Sequence, residues 1–128
     1  MTFSTFDVQL SKDLLASSIT DLERIADQYK IENLQPNFFE DIIIPISLHL
    51  NSFPKRDEPY LICFTGGQGS GKTTMSYFIQ EVLTNHCNRP SMGFSIDDIY
   101  KSQEERKAIS EEVHSLCYVR GVPGTHDI

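Results

Sequence analysis

The sequence predicts an α/β fold preceded by N-terminal helices, and three adjoining features carry that expectation. Residues 60–65, YLICFT, form a short apolar run bounded by Pro59 and glycines, the pattern of a strand buried on both faces. Residues 66–73, GGQGSGKT, follow as a glycine-rich loop, and beyond it Met75, Phe78, Ile79, Val82 and Leu83 recur along one face of a helix. Strand, tight loop and helix in that order open a parallel α/β unit.

A chain of 128 residues fits about one domain with one core. Its composition, 39% hydrophobic and 23% charged, is that of a globular protein. The net charge of -7 argues against broad binding to nucleic acid or anionic lipid. Cys63, Cys87 and Cys117 are widely spaced without a C-x-x-C pair, which fits neither a cysteine zinc site nor a disulfide framework and points to a reducing compartment. The N-terminus has no basic flank ahead of an apolar run, and its first arginine is Arg24. No segment approaches the roughly 18 apolar residues of a membrane span. A cytoplasmic location without membrane contact is expected.

In chain order, Leu15, Ile19, Leu22, Ala26 and Tyr29 recur at steps of three and four, the period of a helix with one buried face. Thr20 with Glu23 predicts a capping box that divides this stretch into two shorter helices. Residues 33–36 end it. Asn37 with Glu40 predicts the cap of a new helix whose apolar residues are Phe39, Ile42, Ile43, Ile46 and Leu50, and Pro45 within it predicts a kink or a division. Residues 52–59, SFPKRDEP, read as a connector, so that a helical segment, 1–58, precedes an α/β part, 59–128. Residues 93–97, GFSID, predict a second strand. Ser102 with Glu105 caps a further helix carrying Ile109, Val113, Leu116 and Cys117. His49, His86 and His114 read as ordinary residues.

The loop satisfies G-x-x-x-x-G-K-[ST] through Gly66, Gly67, Gln68, Gly69, Ser70, Gly71, Lys72 and Thr73, with Thr74 next in the helix. Glycines allow positive backbone angles and let successive N–H groups face phosphate oxygens. The helix starting near Lys72 adds its dipole and unpaired N–H groups. The Lys72 ammonium suits the outer phosphates, and the Thr73 hydroxyl suits magnesium. ATP and Mg2+ are the expected cofactors, with residues 66–74 holding them.

Asp97 and Asp98 stand where the second predicted strand gives way to a loop, the end of a strand at which ligands collect in open α/β folds. A carboxylate there could bind magnesium or accept a proton from an attacking hydroxyl. Neighbouring residues on an extended chain point opposite ways, so one of the two would serve. A solvated pair or a helix cap is the plainer alternative.

The segments GGQGSGKTT, SIDDIY, EER, VH and RGVPGTHD resemble the P-loop kinases that include D-glycerate 3-kinase, a branch related to uridine kinase, phosphoribulokinase and bacterial pantothenate kinase. The likeness runs from about residue 38 to residue 128, and RGVPGTHD is its most specific part. It implies a P-loop NTPase fold, Rossmann-like with three layers, of which this chain holds the N-terminal half. It also implies transfer of the ATP γ-phosphoryl group to a hydroxyl of a small metabolite, D-glycerate ahead of uridine or pantothenate. Lys72 and Asp97 would be catalytic, with Thr73 and Asp97 at the metal. Asp98, Arg120, His126 and Asp127 would contact the acceptor, a guanidinium suiting a carboxylate and an acid suiting hydroxyls. Arg120 also reads as a surface arginine at a helix end.

Related kinases place a later strand between the two predicted here, and they carry lid arginines and most of the adenine pocket further on. The resemblance therefore implies an incomplete sheet and, as a partner, a second chain bearing the other half. A non-catalytic nucleotide-binding module and an inactive kinase fragment stand beside the enzyme as alternatives.

Overall fold

The computed structural model describes residues 7–96 and 102–113. The chain divides into two units, Met1–Gly93 and Phe94–Ile128.

The first unit opens with α1, Val8–Gln28, whose N-terminal N–H groups on Gln9 and Leu10 donate to the Asp7 carboxylate at 3.0 and 3.2 Å. The helix runs unbroken for 21 residues, so Thr20 and Glu23 do not divide it. Inside a helix the N–H groups that a threonine cap would take already have carbonyl partners four residues back, and the side chain offers them nothing more. Leu14, Ser18, Leu22 and Ile25 form the buried line, while Leu15, Ile19 and Ala26 flank it half-buried and Tyr29 is exposed. The predicted apolar stripe is thus one edge of the packed face. Ser18 is tolerated at its centre because its hydroxyl donates to the Leu14 carbonyl at 2.6 Å.

Lys30, Asn33 and Asn37 take left-handed backbone angles, φ +52°, +59° and +60°, in the descent from α1. The predicted Asn37 cap is not formed. Asn37 instead offers its backbone carbonyl to the Asp41 N–H at 2.8 Å, and the following turn, Phe39–Ile43, is π-helical. The Ile44 N–H reaches back five residues to the Phe39 carbonyl. Helix α2, Ile44–Asn51, continues directly from it with Pro45 in its first turn. A widened turn just ahead of a residue that has no N–H to give lets the helical path continue through the proline, where a break was expected. Ile44 and Ser47 are buried, and the Ser47 hydroxyl finds no hydrogen-bond partner among the described residues.

The connector has local order. Arg56 lies 3.8 Å above the Tyr60 ring, and the Tyr60 hydroxyl donates to the Pro54 carbonyl at 2.8 Å. Beyond the glycine loop, α3, Lys72–Glu81, passes into a second π-helical turn, Val82–His86. Phe78, Ile79, Val82 and Leu83 are buried, as their spacing predicts. Phe78 meets the rings of Phe38 and Phe39 edge-on, with centroids at 6.1 and 5.0 Å, and Tyr77 stacks on Tyr29 at 4.4 Å. Helices from before and after the connector therefore share one core, of which Leu22, Ile43, Ile44, Phe78 and Val82 are fully buried.

Arg89 donates to the carbonyls of Leu50 and Phe53, satisfying the end of α2. The chain then returns past the π-helical turn, where the Ser91 N–H donates to the Thr84 hydroxyl at 3.0 Å. At Gly93 a Cβ would fall against the Gln80 side-chain amide and 2.9 Å from the Ser76 hydroxyl, so a larger residue would have to displace those side chains.

Residues 60–65 carry no β-ladder, and neither do residues 93–96, among the described residues. Most of their apolar side chains stand outward, Leu61 being 82% and Phe94 72% exposed, while Phe64 packs half-buried against the helical core. In the second unit, α4, Gln103–Glu112, begins where the sequence predicts. The Glu105 N–H donates to the Ser102 hydroxyl at 3.2 Å and the Ser102 N–H to the Glu105 carboxylate at 2.8 Å, and no residue of this helix is fully buried. No described helix is long and apolar enough to cross a membrane.

Candidate functional site

The glycine loop sits at the N-terminus of α3. Gly69 and Gly71 have φ of +76° and +86°, angles that a side chain would strain, and Gly71 is the residue from which the helix starts. The Ser70 N–H closes a turn onto the Gly67 carbonyl at 3.2 Å. A Cβ on Gly66 would lie 2.8 Å from the Ser70 hydroxyl, so this glycine also answers to close approach.

Lys72 turns back across the loop, and its ammonium donates to the carbonyls of Gly66 and Gly67, each at 2.8 Å. A positive charge is thereby fixed over the loop at the end of α3 where the helix dipole also favours anions. No side chain caps this helix, so its first N–H groups remain directed out of the N-terminus. Residues 66–71 and Thr73 are exposed, and Lys72 and Thr74 are partly exposed. Exposed N–H groups, a tethered ammonium and a hydroxyl at one helix terminus suit an oxyanion such as a phosphate.

Of the residues singled out by sequence, Gly66, Gly67, Gln68, Gly69, Ser70, Gly71, Lys72, Thr73 and Thr74 are thus gathered in one place. Asp97, Asp98, Arg120, His126 and Asp127 lie outside the described residues.

A second polar cluster, unmarked by any sequence motif, lies at the opposite end of α3. Asp21 accepts from Arg24 at 3.0 Å and lies 2.9 Å from Nε2 of His86, 65 positions away in sequence. Arg24 also reaches Glu81 at 3.7 Å, and the Asn85 amide donates to that carboxylate at 2.9 Å. The Arg24 hydrogen bond first, and the His86 ring second, hold the Asp21 carboxyl below its ordinary range. Burial pushes the thiol of neighbouring Cys87 up.

Comparison of sequences relates this chain to a protein that bears the name of a kinase. The relative is a Schizosaccharomyces pombe protein bearing the name uncharacterized kinase mug58, 33% identical over 92 residues. The alignment takes in 70% of this chain and 33% of that protein, so the chain spans about a third of its relative's length. No protein-family model matches the chain, and no solved structure does.

Proposed function

We propose that the chain supplies the phosphate-holding part of an ATP-dependent small-molecule kinase with a P-loop NTPase fold, acting on a hydroxyl of D-glycerate. The observation that carries this reading is the Lys72 ammonium held over a glycine loop at the start of α3. The kinase name of the relative supports it, and so does the resemblance of RGVPGTHD.

In this reading the N–H groups of residues 66–73 hold the outer phosphates and Lys72 offsets their charge, and the Thr73 hydroxyl, with Asp97, would hold a magnesium ion that would neutralise part of the developing phosphate charge. Asp97 takes the proton of the attacking hydroxyl, and Asp98, Arg120, His126 and Asp127 orient the acceptor. Phosphoryl transfer rests on positioning and charge, so a complete enzyme needs further cationic groups, supplied by additional sequence or a second chain.

Thermal unfolding with and without Mg-ATP tests the first step. At a hundredfold excess over Kd, ATP should stabilise the folded chain by about 2.7 kcal/mol, and Lys72→Ala should lose most of that gain. Equal shifts in both proteins, or none, would overturn the phosphate assignment. Incubation with ATP and D-glycerate, uridine or pantothenate in turn tests the acceptor. Product from uridine alone would remove glycerate, and stabilisation without any product would favour a binding module.

A further inference from the structure

We propose that Asp21, Glu81 and His86 form a binding site for a divalent transition ion of the zinc type, separate from the glycine loop. Each residue offers one donor atom, and the three donors lie within 4.8 Å of one another. Donors about 2.0–2.2 Å from a tetrahedral ion stand roughly 3.4 Å apart, so closure needs a movement of about 1 Å.

The backbone favours the convergence. In an α-helix, residues five apart point about 140° away from each other. Glu81 ends α3 and His86 ends the π-helical turn Val82–His86, whose five-residue repeat returns the imidazole to the side of the glutamate. Asp21 arrives from the middle of α1. Two segments, α1 and the continuous run from α3 into the π-helical turn, thus present two carboxylates and a ring nitrogen at one point.

The donor set selects the ion. Magnesium and calcium prefer six or more oxygens, whereas one imidazole with two carboxylates suits zinc, with a fourth position left to water. The side chains of Glu81 and His86 are 16% and 14% exposed, so the ion would be partly dehydrated yet reachable. Asn85 already orients the Glu81 carboxylate as an outer partner.

Arg24 is the competitor. Its guanidinium bridges Asp21 and Glu81 from a side chain 61% exposed, held by the kind of surface pairing that is readily exchanged. A bound dication would take over its charge-compensating role and release it to solvent. Removing the arginine should therefore tighten the site, an effect opposite to that of losing a structural ion pair.

The test is calorimetric titration of the full chain with zinc chloride, repeated for His86→Gln and Arg24→Ala, with histidine ring signals followed by NMR. One zinc per chain is expected, displacing the His86 signals, with affinity lowered about tenfold or more in His86→Gln and raised several-fold in Arg24→Ala. Binding that His86→Gln leaves intact would assign the metal elsewhere, such as the cysteines, and overturn the proposal. So would a failure of the parent chain to bind zinc stoichiometrically. If His86→Gln does not fold, Arg24→Ala decides: unchanged or weaker binding there sinks the site.

Discussion

Two kinds of apolar segment in this molecule meet opposite fates. The helical faces of α1, α2, α3 and the π-helical turns joined to them bury Leu22, Ile43, Ile44, Phe78 and Val82 completely, whereas the apolar runs at 60–65 and 93–96 leave Leu61 and Phe94 largely in solvent. Hydrophobicity does not separate them. A helix satisfies its backbone within itself and needs only one face covered, while a strand must find a second chain segment for its N–H and C=O groups before its side chains can be packed. Burial follows from where the backbone hydrogen bonds can be made.

Substitutions in the two regions put numbers on that difference. Phe78→Ala, which empties the centre of the helical core and strips two edge-on ring contacts, should cost about 3–5 kcal/mol in denaturant unfolding. A loss below about 1 kcal/mol would mean the helices do not depend on this core. Ser47→Ala should act the other way, raising stability by about 1 kcal/mol, because the buried hydroxyl has no described partner and alanine suits a helix better. A loss of stability would reveal an unrecognised partner for Ser47. Smallest of all, Leu61→Thr should change stability by no more than about 0.5 kcal/mol. A large loss there would break the comparison, since it would require the Leu61 side chain to be packed.

What the sequence made legible was whatever is encoded over a few neighbouring residues. The Ser102–Glu105 capping box, the start of α3 at Lys72 and the glycine positions of the loop are local chemistry, and the structure carries them as read. The buried face of α3 follows from its period alone. Thr20 misled because a capping residue is recognisable only if a helix end is there, whereas Asn37 does stand at a helix start but in a left-handed conformation, φ +60°, from which its side chain makes no cap. The π-helical turns have no comparable signature: a five-residue repeat arises from strain and packing and leaves no pattern of its own. For the same reason His86 read as an ordinary residue. Its significance depends on Asp21, which tertiary folding alone brings within 2.9 Å.

The tether of Lys72 to the carbonyls of Gly66 and Gly67 has a consequence in entropy. A free lysine side chain surrenders about 2 kcal/mol of rotamer freedom when it is immobilised. Here that immobilisation belongs to folding, so an oxyanion bound at this loop, as proposed, would lose little affinity to ordering the charge. Replacing Lys72 by arginine would keep the charge yet alter this preparation, because the longer, planar guanidinium carries its charge further from the backbone than a compact ammonium does.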